Sequence, residues 1–410
     1  TEHRMMAKLM SDSVLLWARA YRLDSFRFDL MGHQPRAEML ALQQRLRREL
    51  GRELHFIGEG WNFGEVAHGA RFVQASQLSL GGDGIGTFSD RARDAARGGS
   101  FGRVADIMRS PGWVHGLGGA EAARAATLLR LGLGGTLREL RVPGPDGSLQ
   151  RGADIDYGGQ PAGYAVQPGE AVAYVENHDN HTLFDAHVLK LPAGTPMAER
   201  VQVQTLSSAL ALWSQGVAYV HAGQELLRSK SLDRNSYDSG DWFNRLDFSL
   251  QDNGFGAGLP PQADNGADWE TLAPLLRDPS AKPRAADIRQ ARDQFLDLLR
   301  IRSSSSLFRL GDAAQVLARL RFPAVPSGQE ELLIQVELDG QGWPGARFAA
   351  LRLVFNAGTR AVELPADAAW RLHPVHRAPE AGDRRIAAEA RRAAPGHLRV
   401  PPRSAVVFVR

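Results

Sequence analysis

Residues 23–30, LDSFRFDL, and residues 54–59, LHFIGE, decide how this chain folds. Each is a short, mostly apolar run closing on an acid, Asp29 in the first and Glu59 in the second. Phe26 and Phe28 fall on one face of an extended segment, because side chains alternate along a strand. Between the two runs, residues 35–50 read as a helix, with Gly51 as its stop signal. Strand, helix and strand with short connections make the pattern of a parallel sheet covered by helices, an α/β fold.

Upstream, Met5, Met6, Leu9, Met10, Val14 and Leu16 keep roughly helical spacing over residues 2–20. Downstream the pattern loosens between Trp61 and Gly169, where glycine pairs and the PGPDG stretch at 143–147 punctuate the chain. Within and beyond that region, residues 85–89, 171–179 and 217–224 read as strands. Residues 121–133, 199–213 and 284–301 read as helices. Past Arg302 the texture changes. Four serines at 303–306 lead into alternating segments at 315–322, 331–338, 350–356 and 404–409, separated by Pro and Gly. They predict an antiparallel β-sandwich over residues 303–410, distinct from residues 1–302.

The 410 residues are 43% apolar and 23% charged, which leaves ample material for a core. Only four of the 49 basic residues are lysine, and the arginines are scattered among acids, so no nucleic-acid groove is expected. Cysteine is absent, which removes disulfides, thiol catalysis and thiolate metal sites. No apolar run reaches the roughly 18 residues of a membrane span. The compartment is not fixed by these features.

Three expected strand ends finish in acids: Asp29, Glu59 and Asp179. In a (β/α) barrel such ends converge on one mouth, so acids far apart in sequence become neighbours. Two carboxyl groups about 5–5.5 Å apart serve a retaining glycosidase as nucleophile and acid/base. Arg27 lies two residues before Asp29, on the same strand face, where a guanidinium favours the ionised carboxylate. Gly58 and Gly60 flank Glu59 and are expected to let a substrate approach the backbone, while Trp61 offers a flat face for a sugar ring. His178, Asp179 and His181 also suggest a metal site. Alternation along a strand places His178 and Asp179 on opposite faces, and no HExxH-type spacing exists elsewhere, so contacts to sugar hydroxyls fit better.

Three segments carry a family resemblance: residues 26–33 (FRFDLMGH), 58–66 (GEGWNFGEV) and 177–185 (NHDNHTLFD). They resemble the second, third and fourth signature regions of the α-amylase family, in the wording of type I pullulanases and limit dextrinases. The likeness continues through residues 224–231 (QELLRSKS) and 236–245 (SYDSGDWFNR). The resemblance implies hydrolysis of α-1,6 links in pullulan and branched α-glucans. It makes Asp29 the nucleophile, Glu59 the acid/base and Asp179 the transition-state stabiliser. Arg27 and His178 would support the sugar at the cleavage point, Trp61 would stack on the leaving-group side, and Asp241 and Arg245 would contact the non-reducing-side glucose.

By the same resemblance the fold is a (β/α)8 TIM barrel followed by a β-sandwich. Only five strands are present before residue 302, and only 28 residues precede Asp29, so the chain is expected to supply strands four to eight of a longer enzyme. No cofactor is needed for the chemistry. Structural calcium is common in the family, but no D-x-[DN]-x-[DN]-G loop is present, and Asp83 and Asp90 are the weakest of candidate ligands. A monomer acting on an α-glucan, with no nucleic-acid or membrane partner, is expected. The alternative is a non-catalytic or inactive glucan-binding fragment.

Overall fold

The computed structural model describes residues 2–325 and 331–410. Five parallel strands form its first sheet: Ser25–Phe28, His55–Gly58, Ile85–Phe88, Ala171–Ala173 and Val217–Ala218, in that spatial order. All five expected strands are present, though the last two are much shorter than their sequence patterns. Apolar residues continue through Val175, but the ladder ends at Ala173, and Asp179 therefore sits in a loop six residues beyond its strand.

Helices cover the sheet because their apolar stripes match its faces. Helix Arg36–Leu50 turns Met39, Leu42 and Leu46 toward Val14, Leu15 and Ala18 of helix Arg4–Ala20 and toward Phe56 and Ile85 of the strands. It stops at Gly51, whose φ of 67° permits the left-handed turn that closes its amide on the Arg47 carbonyl. Helix Arg4–Ala20 also has a second apolar face. Met5, Leu9, Leu16, Trp17 and Tyr21 are exposed there, and strand Ser25–Phe28 is an edge of the sheet.

Beyond helix Ala285–Ser303, a second sheet is antiparallel, with strands Leu320–Arg321, Leu333–Asp339, Ala350–Asn356, Ser404–Val409 and Arg371–Leu372 in spatial order. A two-stranded sheet, Val362–Pro365 with His397–Val400, shares a core with one of its faces. The other face presents Ile334, Val336, Leu351, Leu353, Phe355 and Val407 to a core that also holds Trp213, Phe295, Leu298 and Ile301. That core therefore runs across residue 302. Residues 315–322 depart from the expected strand: helix Ala313–Arg319 occupies most of them, capped by the Asp312 carboxylate accepting the Ala314 amide. Among the described residues, no helix is long and apolar enough to cross a membrane.

Candidate active site

Phe28 pairs with Gly58 in the parallel ladder, so the next residue of each strand, Asp29 and Glu59, emerges at the same end of adjacent strands. Arg27 ties them together. Its Nη1 donates to Asp29 Oδ1 at 2.6 Å, and its Nη2 lies 3.3 Å from Glu59 Oε1. The same guanidinium stands 5.8 Å from the ring centroid of Phe88, two strands away in the sheet. Leu30 is left-handed, with φ 46°, and its amide donates to Glu59 Oε2 at 2.6 Å.

The two carboxyl groups live in different surroundings. Asp29 is 67% exposed, whereas the Glu59 side chain is 8% exposed. Burial raises the Glu59 pKa; the Leu30 amide and Arg27 pull it down, and the charges of Asp29 and Asp179 push it up, leaving it above the ordinary value.

Glu59 opens into a cleft of about 670 Å³ that Trp61, Phe63, Phe101, Tyr174 and Asp179 also line. Trp61 is fixed from behind. Its Nε1 donates to Asp90 Oδ2 at 3.0 Å, and the Arg93 guanidinium lies 5.9 Å from its ring. Arg93 also hydrogen-bonds the Tyr174 hydroxyl and Asp94. Buried arginines in helix Asp90–Arg97 thus shape one cleft wall, a role that sequence reasoning missed. The signal available was arginines at 91, 93 and 97, all buried on a short helix.

Asp179 reaches the cleft from a loop, so the expected strand alternation does not apply to it. His178 Nε2 lies 3.7 Å from Asp179 Oδ1, close to it rather than across a sheet. Desolvation lowers the His178 pKa, opposed by the Asp179 charge. The expectation for Gly58 and Gly60 is also corrected. A Cβ on Gly58 would stand 2.8 Å from the Phe28 carbonyl oxygen, and one on Gly60 would stand 2.6 Å from Thr87 Cγ2. Both glycines let protein segments pack, and neither opens a path for substrate.

Asp241 and Arg245 are not among the residues lining this cleft. Arg245 pairs with Asp252 at 2.7 Å and lies 5.3 Å from the Trp242 ring, with Asp241 opening the four-residue helix beside it. Among the described residues, no group of three or more His, Asp or Glu side chains could hold a metal ion. The calcium candidates do not fit. Asp83 receives two hydrogen bonds from Arg36, and Asp90 is taken by Trp61, Gln77 and Arg91.

Other groups lie behind the site, to which sequence analysis gave no role. Glu176, fully buried, accepts the Leu183 amide at 2.9 Å and lies 2.6 Å from His221 Nδ1. Asp185, also fully buried, accepts from the Ser229 hydroxyl and the Lys230 amide. Burial raises its pKa to about 6 against those hydrogen bonds.

Residues 250–410 match the family model described as alpha-1,6-glucosidases, pullulanase-type, C-terminal. Over almost its whole length the chain is similar to pullulanases. It is 39% identical to a pullulanase of Klebsiella aerogenes, over 99% of this chain and 38% of that protein. It is 38% identical to the chloroplastic pullulanase 1 of Arabidopsis thaliana, over 100% of this chain and 45% of that one. The maltotriose complex of PulA from Klebsiella pneumoniae superposes with a TM-score of 0.93 at 37% identity, covering 100% of this chain and 45% of that structure. The chain thus spans less than half the length of these relatives.

Proposed function

We propose that this chain carries the catalytic acids of a retaining hydrolase acting on α-1,6 links in pullulan and branched α-glucans. The observation that carries this reading is one guanidinium, Arg27, shared by Asp29 and Glu59 at neighbouring strand ends. Glu59, buried by the fold and with its pKa raised, is suited to hold a proton and give it to the glycosidic oxygen. Asp29, exposed at its strand end, attacks the anomeric carbon. The glycosyl–Asp29 ester then forms as the bond to the leaving sugar breaks. Water, deprotonated by Glu59, releases the sugar and restores both acids. Asp179 faces the same cleft, where its charge opposes the positive charge of the oxocarbenium-like transition state. Trp61 stacks on the leaving-group side, and Arg27 and His178 support the sugar at the cleavage point. Asp241 and Arg245, outside the cleft lining, contact the glucan further along its non-reducing side.

The five parallel strands form part of a (β/α)8 barrel, and the C-terminal sheets form a β-sandwich. The open edge at Ser25–Phe28 and the exposed apolar face of helix Arg4–Ala20 support a barrel that further strands complete. The same open edge favours a second reading, an inactive glucan-binding piece of such an enzyme.

The test is pullulan hydrolysis followed by chromatography for maltotriose, with Glu59→Gln as the paired control. The chain is assayed alone and together with the remaining strands of a close relative. Maltotriose in either arm, reduced about a thousandfold by Glu59→Gln, is the expected result. No product in either arm would overturn the hydrolase reading.

A further inference from the structure

Asp179 is the acid whose position needs an explanation. Asp29 and Glu59 are fixed by adjacent strands, but Asp179 stands in a loop, half exposed, with His178 Nε2 3.7 Å from its carboxylate. Its carboxylate is therefore placed by the backbone of residues 177–182. That backbone runs over a buried polar bracket. The Lys230 side chain is 1% exposed, and its Nζ donates to the His178 carbonyl at 2.8 Å, one residue before Asp179. Lys230 is itself held at Asp185, whose Oδ2 accepts the Lys230 amide at 2.9 Å and the Leu232 amide at 3.3 Å. Asp185 Oδ1 accepts the Ser229 hydroxyl, and the Ser229 Oγ in turn accepts the Ser231 amide at 2.9 Å.

Backbone geometry gives a second observation. Ser231 and Leu232, which directly follow Lys230, are left-handed at φ 54° and 62°, and Asn180, next to Asp179, is left-handed at φ 60°. Such conformations are uncommon outside glycine, and persist where surrounding bonds over-determine them. A buried ammonium is also expensive unless fully bonded. Here both costs are concentrated beneath one loop, and that loop carries an acid of the cleft.

We propose that Lys230, anchored by Asp185 and Ser229, is the positioning residue that holds Asp179 at the cleft. The proposal rests on Asp179 acting in the hydrolysis described above. Lys230 touches no cleft space itself; it acts through the His178 carbonyl. The alternative is a brace that stabilises the whole fold without setting the loop.

Lys230→Met in the full chain separates the two. Hydrogen exchange should quicken about tenfold or more at residues 177–182, while amides of Ser25–Phe28 and His55–Gly58 keep the parent rates. In the form that hydrolyses pullulan, kcat should fall about a hundredfold with KM within about twofold, because a displaced group is felt mainly in the transition state. Ser229→Ala, which keeps the ammonium and removes one bond to Asp185, should shift both readouts the same way by less, and it serves if Lys230→Met does not fold. Unchanged exchange in the loop, or a uniform rise across the chain, would overturn the proposal. So would faster loop exchange with unchanged kcat. A parent inert in both forms would instead remove the hydrolase reading, and the proposal with it, even with the loop visibly loosened by the substitution.

Discussion

Strands Leu333–Asp339, Ala350–Asn356 and Ser404–Val409 run six or seven residues, whereas the five parallel strands run two to four. The interiors differ as well. The antiparallel strands bury mostly aliphatic and aromatic side chains on both faces. The parallel region buries Glu59, Glu176, Asp185 and Lys230 near the ends of its strands. One region is made of longer strands with both faces covered by apolar cores, the other of short strands that break off where polar groups gather. The cleft opens in the second, where regular hydrogen bonding has ended and side chains such as Glu59 and Asp179 are turned into it.

That contrast can be broken first by cutting into the apolar side. Phe355 is fully buried and packs 5.8 Å from the Trp213 ring. Phe355→Ala should lower stability by about 4 kcal/mol, read as a shifted urea midpoint, while turnover per folded molecule stays unchanged. A large loss of kcat in the folded fraction would mean that the two regions are not separate in function.

The join between them sharpens the comparison. His115 Nδ1 accepts the Gly112 amide, so its Nε2 carries the proton given to His187 Nδ1 at 2.9 Å. Arg403 of the C-terminal region donates to the Val114 and His115 carbonyls beside them. Burial, then neighbouring cations including Lys190 and Arg403, holds both histidine pKa values well below ordinary. The unfolded chain binds protons that the folded pair refuses. Stability from this pair is therefore full above about pH 6.5 and is lost as pH falls below it. Each histidine should contribute a slope approaching about 1.4 kcal/mol per pH unit between pH 6 and 5. Urea midpoints across that range measure it, and His187→Gln should flatten the curve.

Smaller effects belong to the cleft surface. Trp61→Ala should weaken maltotriose binding about tenfold by calorimetry, equivalent to about 1.4 kcal/mol, with the unfolding midpoint little changed. Asp241→Ala should be the mildest, raising KM about twofold on long glucans and leaving short ones unaffected. An equal effect on short substrates would place Asp241 nearer the bond that breaks.

The five strands were legible as local apolar runs, and the adjacency of Asp29 and Glu59 because each closes such a run. Helix 36–50 was legible from its spacing and its glycine stop. Residues 315–322 misled, since Val316, Ala318, Leu320 and Phe322 alternate, while the Asp312 cap and a run of helix-forming residues win locally. Residues 171–179 misled for a different reason. Apolar character persists after the partner strands have ended, and nothing local reports where a ladder stops. Lys230 and Asp185 lie 45 residues apart and meet through tertiary folding. The traces they leave are a charged residue in an apolar helix and one of only four lysines in the chain.

The central claim is that Asp29 and Glu59 form a retaining pair around Arg27. Proton NMR of the anomeric region during the first minutes of pullulan cleavage tests it directly. The account predicts that the new reducing end appears first as the α-anomer and then mutarotates. Initial release of the β-anomer would mean a single displacement by water and would contradict the roles given to both acids.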